Sequence, residues 1–356
     1  MTNAITRLEI KDFLVFKGEF GANFCPGVNV LIGGNGTGKT TLMKVMYAAC
    51  DWGNQRKYTE ELSHIFSYFS YIYEEQHRHR DSFGYSFDPF SFKVSTQSDS
   101  FSINAWNFKD GYRYREGEFL NLDAIFIPAI ELLSHSKGLA SLNEKYALAF
   151  DKTETDLLVN AELPVRKEPG NSSKKLLDRI AKTIEGEVVY EDDQFFITKN
   201  SGLKLSFAFE ASGFRKFGML WKLLRNGLLE SGSVLFWDEP ENSLNPELVP
   251  VLVNILLELS RNGVQIFAAT HDYNLTRHFD VRKDRSVPVL FHNLSKTDGG
   301  IQCESSPDYI RLRNNLLESA NADLFNAVVA DAMGVQDHLH LHDGRNGITA
   351  LDNAGA

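Results

Sequence analysis

The chain has 356 residues, 43% of them hydrophobic and 24% charged, an ordinary globular composition with room for one large domain or two small ones. Its net charge of -10 and isoelectric point near 5.5 exclude a uniformly basic coat, although a local basic groove for nucleic acid stays open. Cys25, Cys50 and Cys303 are too widely spaced for a disulfide framework or a Cys-x-x-Cys zinc knuckle, so the expected setting is a reducing cytoplasm. The first residues lack the basic-then-apolar pattern of a signal peptide. The most apolar later stretch, Val249 to Leu259, is short and interrupted by Asn254 and Glu258, so no membrane span is expected.

Taken in order, Ile5, Leu8, Ile10 and Phe13 alternate with polar residues and predict opening strands over 5–20. The apolar run Val28-Asn29-Val30-Leu31-Ile32 predicts a buried strand, and Lys39 to Cys50 a helix. Between them lies Gly33-Gly34-Asn35-Gly36-Thr37-Gly38-Lys39-Thr40-Thr41, which fits the phosphate-binding pattern G-x-x-x-x-G-K-[ST] in the strand–loop–helix context that the pattern needs. Glycines let successive N–H groups turn inward around a polyphosphate, and the helix N-terminus adds partial positive charge. Lys39 is the candidate cation for the β- and γ-phosphates and the Thr40 hydroxyl a candidate Mg2+ ligand.

Residues 51–90 are rich in aromatics and His, with a helix expected over Glu60 to Gln76 and an exposed loop or helix end at His77-Arg78-His79-Arg80. Phe92-Lys93-Val94 and Phe101-Ser102-Ile103 suggest antiparallel strands, and Ala124 to Ile127 a compact buried strand. Residues 130–185 read as mostly helical, with a charged break at 166–173. Val188-Val189-Tyr190 and Phe195 to Thr198 follow as strands joined by an acidic turn, with a further strand over Leu205 to Phe209. Phe214 to Leu229 reads as a helix, Ser233 to Trp237 as a strand, Pro246 to Asn262 as a helix and Val264 to Thr270 as a strand. Strands alternating with helices imply a largely parallel, helix-covered sheet. Beyond residue 300 a strand-like run and two helices, Tyr309 to Ser319 and Leu324 to Met333, are expected, then a tail with His338, His340 and His342.

Val234 to Glu239 describes a central strand delivering two carboxylates at its C-terminal end, where open α/β sheets place ligands. Asp238 is the candidate for the Mg2+ shell and Glu239 for orienting and deprotonating an attacking water. The continuation to Pro246 resembles the Walker B motif and D-loop (Ser243, Leu244, Asn245) of ABC-type ATPases, in particular the soluble RecF/SMC-like branch whose members are often described as AAA-type ATP-binding proteins. Ile266 to His271 resembles the strand that ends in the switch histidine, here His271, where a neutral imidazole senses the γ-phosphate. Ala211-Ser212-Gly213-Phe214-Arg215-Lys216 resembles the ABC signature: Ser212 and Gly213 match, while Phe214 and Arg215 replace Gly and Gln. The bland alternative for Ser212 is a simple helix N-cap. Phe126-Ile127-Pro128-Ala129 aligns with the Q-loop, but Ala129 stands where Gln is expected and Glu131 is the nearest polar residue. Phe13 or Phe16 is a candidate for packing on adenine, the alternative being a place in the core.

The resemblance, spanning about 5–300, implies an α/β fold: a P-loop NTPase head of the ABC-ATPase type, with a mostly parallel sheet, an antiparallel β subdomain and a short helical insert. Its expected parts are an N-terminal ATPase lobe (1–128), the insert (129–186), a C-terminal lobe with signature, Walker B, D-loop and switch His (187–300), and C-terminal helices and tail (301–356). The implied activity is hydrolysis of ATP to ADP and phosphate with Mg2+. Each motif occurs once, and an ABC-type site takes its phosphate loop and signature from different copies. This implies a head-to-tail homodimer or higher oligomer, or a heterodimer, closing on two ATP molecules. The resemblance points to DNA repair or to defence against phage and plasmids, with any nuclease or toxin chemistry on a separate effector chain. Alternatives are a slow-turnover, ATP-gated scaffold that restrains a toxic nuclease, and the energy subunit of a membrane transporter. The insert is too short and lacks the heptads of an SMC coiled coil. Its basic cluster Lys174, Lys175, Arg179 and Lys182 reads as a solvated helix face or a nucleic-acid contact.

Overall fold

The computed structural model describes residues 3–54, 78–81, 84–87, 90–105, 113–117, 120, 122–146, 150, 152–166 and 171–333. The helix expected over Glu60 to Gln76, His77, and the tail histidines lie outside them. Residues up to Asn315 form one compact unit; the second begins at Leu316 and contains a single described helix.

The chain opens with β1 (Ile5–Phe13), β2 (Phe16–Asn23) and β3 (Val28–Gly33), then α1 (Lys39–Asn54). β4 (Arg78–Asp81), β5 (Gly84–Phe87), β6 (Phe90–Thr96), β7 (Ser100–Ala105), β8 (Arg113–Gly117) and β9 (Ala124–Ile127) follow. The insert contributes α2 (Leu139–Tyr146), α3 (Lys152–Glu162) and α4 (Asn171–Ile184). Next come β10 (Gly186–Glu191), β11 (Gln194–Lys199), β12 (Lys204–Ser206) and α5 (Ser212–Arg225). The core is completed by β13 (Val234–Asp238), α6 (Val249–Arg261), β14 (Gln265–Ala269), α7 (Tyr273–Arg282), β15 (Val289–Thr297) and β16 (Gly300–Ser306). The helix of the second unit is α8 (Leu316–Ala332).

The central sheet has the order β16-β15-β3-β14-β13-β9. All neighbours are parallel except the edge strand β16. The interior strands β3, β13 and β14 are buried along their whole length, so they read as continuous apolar runs instead of alternating ones. An antiparallel sheet of order β2-β1-β6-β7-β8 packs with α1 and the central sheet around one core that includes Ile10, Phe16, Met43, Met46, Phe101, Phe236 and Phe267. Phe126, Phe236 and Phe267 stack across neighbouring strands, with centroids 6.2 Å and 5.0 Å apart, and Tyr47 of α1 meets Phe126 edge-on, arrangements that add to simple burial. The two sheets are also joined by polar bonds: buried Gln265 holds both the N–H and the carbonyl of Ile5, each at 2.8 Å.

Several expectations change. Leu205 to Phe209 is not one strand: β12 stops at Ser206, whose hydroxyl accepts the Ala208 N–H and starts a 3-10 turn over Phe207–Phe209. Tyr309 to Asn315 is not α-helical but a single 3-10 turn followed by Asn314 in the left-handed region (φ 49°), and one helix, begun at Leu316, runs through the end of the first expected helix and the second. Arg78 to Arg80 belong to a hairpin strand, not a loop or helix end. Helix α4 starts at Asn171, inside the expected break. The acidic turn is as expected, with Asp192 and Asp193 both at positive φ between β10 and β11, the backbone a tight two-residue hairpin requires.

Candidate nucleotide site

The central sheet aligns the C-terminal ends of three strands. Ala269 of β14 is in register with Asp238 of β13 on one side and Leu31 of β3 on the other. The glycine loop, the acidic strand end and the strand end that leads to His271 therefore lie side by side, at the sheet edge where α/β folds place ligands.

From β3 the chain turns through Gly33 to Gly38, and α1 begins at Lys39. Gly38 has φ +89°, and a β-carbon there would lie 2.6 Å from Phe16 Cζ and 2.8 Å from Val15 Cγ2. Only glycine suits both the backbone and the space. Thr37 closes the loop by donating its hydroxyl to the Gly34 carbonyl at 2.9 Å. Asn35 and Gly36 are exposed at its tip, and Thr41 is half-buried in the first turn of α1. Lys39 is buried and donates to the carbonyls of Gly33 (2.9 Å) and Gly34 (3.1 Å). Burial lowers its pKa to about 8, against the pull of Asp238 and Glu239.

Thr40 joins the two motifs by donating its hydroxyl to Asp238 Oδ2 at 2.7 Å. These are hard oxygen donors brought together from α1 and β13, a set that fits Mg2+. Burial raises the Asp238 pKa, while the Thr40 bond and the charges of Lys44 and Lys39 oppose it. Glu239 follows at φ +48° with its N–H bonded to the Ala269 carbonyl at 2.8 Å. A left-handed backbone is uncommon for a residue with a β-carbon and costs on the order of 1–3 kcal/mol. Here it bends the chain at the strand end. His271 lies just past β14 with its pKa lowered, first by burial and then by the Lys39 charge, so its imidazole is neutral near pH 7. The segment read as a D-loop turns through Ser243 (φ 58°), keeps Leu244 by an N–H bond to Glu241, and ends at Asn245, whose side chain accepts the Glu247 N–H at 3.1 Å.

The signature-like segment has a different neighbour. Helix α5 begins at Ser212, the capping position being Ala211, which offers no side-chain bond. Ser212 is therefore not the N-cap; its hydroxyl donates to the Ser243 carbonyl at 2.9 Å. Gly213 faces the D-loop, where an added β-carbon would sit 3.2 Å from Leu244 Cδ1. Arg215 pairs with Glu131 (Nε to Oε2, 3.4 Å), the residue two past Ala129. Among the described residues no hydrogen bond joins Ser212, Gly213 or Arg215 to the phosphate loop.

Phe13 and Phe16 are 1% and 0% exposed. Both are core residues, and neither offers a face to adenine. The basic residues Lys174, Lys175, Arg179 and Lys182 share the exposed face of α4, and Arg179 is paired with Glu258 at 3.1 Å. Sequence reasoning passed over Lys296, an exposed residue of β15 whose ammonium lies 3.2 Å from where a β-carbon on Gly36 would be. It assigned no role to Lys216, the last residue of the signature-like segment, which is buried and bonded to the carbonyls of Glu239 and Pro240. Lys296 belongs to no pattern that marks it.

The sequence profile of the family described as "AAA domain, putative AbiEii toxin, Type IV TA system" matches residues 28–277, which contain the phosphate loop, the signature-like segment, Asp238, Glu239 and His271. No curated protein matches the chain. Among solved structures it is similar to an Smc head bound to the C-terminal winged-helix domain of ScpA, at 12% identity and a TM-score of 0.50, covering 85% of this chain and 97% of that one. It is also similar to an Smc head with an extended coiled coil bound to the C-terminal domain of ScpA from Pyrococcus furiosus, at 11% identity and a TM-score of 0.50, covering 92% of this chain and all of that one. At these identities the likeness concerns the fold. With the family match across most of the chain, the chain belongs to this AAA-domain family, and its fold is similar to that of an Smc head.

Proposed function

We propose that this chain binds and hydrolyses ATP, and that it works as a switch by closing head-to-tail on a second copy around two Mg-ATP. The observation that carries this reading is the 2.7 Å bond between Thr40 and Asp238, which unites phosphate loop and acidic strand at one point. Thr40 and Asp238 would hold Mg2+, which supplies charge neutralisation at the phosphates. Lys39, released from the Gly33 and Gly34 carbonyls, takes the polyphosphate. Gly33, Asn35, Gly36, Thr37, Gly38 and Thr41 shape the cradle with their backbone and side chains. Glu239 accepts the proton of a water attacking the γ-phosphorus as the β–γ bridging bond breaks, leaving ADP and phosphate. Neutral His271 donates to the γ-phosphate side of the site. Ser212, Gly213 and Arg215 act on the nucleotide held by the partner copy, with Ser243, Leu244 and Asn245 at the seam.

The family's description, a putative toxin of a type IV toxin–antitoxin system, supports a place in defence against phage or plasmids, with an effector on a separate chain; DNA repair is the other setting that the fold suits. The SMC heads bound to ScpA domains support a surface for such a partner. A slower, scaffold-like role that restrains a toxic nuclease is favoured by one observation: Arg215, which replaces the signature Gln, pairs with Glu131, two residues past the Ala129 that replaces the Q-loop Gln.

Lys39→Ala tests the core of the proposal. The variant should lose measurable ATP binding and hydrolysis while keeping its fold, read by titration calorimetry, phosphate release and thermal melting. Hydrolysis at the wild-type rate would remove Lys39, and with it the phosphate-loop reading.

A further inference from the structure

The buried lysine next to the signature offers a link between the two nucleotide sites of a closed dimer. Lys216 is 7% exposed. Its ammonium donates to the carbonyls of Glu239 (3.1 Å) and Pro240 (3.2 Å). These are backbone atoms of the turn that presents the proposed general base. The carboxylates acting most strongly on this ammonium are Glu241, Glu239 and Glu131, in that order. Glu241 is held from the other side by Thr270, whose hydroxyl donates to Oε1 at 2.6 Å. Thr270 is fully buried and directly precedes His271.

The first turn of α5 is thus tied to the rest of its own protomer at several points. Ser212 bonds the D-loop carbonyl of Ser243, Gly213 packs on Leu244, and Lys216 bonds the Glu239–Pro240 turn. Arg215 reaches the Phe207 carbonyl at 3.3 Å and Glu131 at 3.4 Å. A buried ammonium held by two carbonyls is costly to detach, because detaching it leaves a charge without partners. The Glu239–Pro240 turn and the first turn of α5 are therefore held together. Glu239 sits in a left-handed backbone that persists only while its surroundings hold it, so its carboxylate is sensitive to any displacement of that turn.

We infer that Lys216 is a positioning residue that relays signature engagement by a partner copy to Glu239 of its own chain, with Arg215–Glu131 as a second strut to the segment after β9. This inference rests on the proposed ATPase reading. In it, binding of the partner's nucleotide at Ser212 and Gly213 sets the first turn of α5, Lys216 carries that setting to the Glu239 turn, and the two sites fire as a pair.

The test is steady-state hydrolysis by the full chain, with ATP binding measured separately. Lys216→Met should retain the wild-type KM and ATP affinity while kcat falls on the order of 10²-fold, the scale of a catalytic group displaced by about 1 Å. Lys216→Arg, which keeps a cation for the two carbonyls, should recover most of kcat. A residue that merely stabilised the fold would lower melting temperature and active fraction without this split and without that rescue. Should Lys216→Met fail to fold, Glu131→Gln carries the test at the half-buried second strut, and kcat should again fall at unchanged KM. Wild-type kcat in Lys216→Met, or in Glu131→Gln where the first does not fold, would overturn the relay. A wild-type chain that neither binds nor hydrolyses ATP would instead overturn the ATPase reading beneath it.

Discussion

Gly38→Ala probes how the phosphate loop is held against the core. The left-handed backbone at φ +89° costs a residue with a β-carbon about 1–2 kcal/mol. The added carbon would also lie 2.6 Å and 2.9 Å from ring atoms of Phe16 and 2.8 Å from Val15 Cγ2, overpacking that typically costs about 1–3 kcal/mol. Phe16 is fully buried and packs on Phe20 with centroids 4.6 Å apart, so the loop gives way before the ring does. A distortion of about 2–5 kcal/mol in the loop corresponds to a loss in ATP affinity of between about thirtyfold and several thousandfold. Gly232→Ala is the control: its φ is +92° but nothing lies within 4 Å of the added carbon, so it carries the backbone strain without the clash and sits away from the loop. Titration calorimetry with Mg-ATP, alongside thermal melting, should show weak binding only for Gly38→Ala. If Gly38→Ala binds ATP as tightly as wild type, the packing of the loop against Phe16 does not control the cradle.

Lys39 and His292 give pH signatures of different kinds. Burial leaves the free Lys39 with a pKa of about 8, and a bound polyphosphate favours the cation. ATP binding near pH 8 should therefore take up a proton, and affinity should fall as pH rises above that value. Calorimetry in buffers of different ionisation enthalpy reads the uptake directly, and its absence would remove Lys39 from the phosphate. His292 is wholly buried, bonded through Nδ1 to Ser305 (2.8 Å) and through Nε2 to Asn29 Oδ1 (3.2 Å), and burial lowers its pKa to about 3. Between pH 6.5 and 3 the unfolded chain binds the extra proton, so stability conferred by the neutral ring is intact above about pH 6.5 and declines as pH falls through that window. Melting temperature should drop with acidification more steeply in wild type than in His292→Phe; equal slopes would place the acid sensitivity elsewhere.

The elements legible in the sequence were those whose signal is local. β3, β13 and β14 are buried on both faces and announce themselves as apolar runs, and the glycine loop needs only adjacent residues to be recognised. β15 was missed because His292 and Asn293 interrupt its apolar run. Their place in the core depends on Asn29, Ser305 and the carbonyls of Arg313 and Asn314, which no local pattern shows. Helix α7 was missed for a related reason: only Leu275, Thr276 and Phe279 are buried in an otherwise polar segment, and its start rests on the Asp272 side chain accepting the Leu275 N–H. The 3-10 turn at Phe207–Phe209 was read as strand because three apolar residues in a row satisfy a strand pattern, while one Ser206 cap decides otherwise. In the site, the residue types of the phosphate loop and acidic strand end were readable, but not the role of Lys216. Its partners are main-chain carbonyls of a distant segment, and every residue has a carbonyl.

The most direct test of the central claim is the solution mass of Glu239→Gln, measured by light scattering after gel filtration with and without Mg-ATP. The substitution removes the proposed base and leaves the phosphate loop intact, so bound ATP should accumulate unhydrolysed and hold the closed state. The account predicts a monomer without nucleotide and a dimer with it. A monomer under both conditions would contradict the shared, head-to-tail site between identical chains.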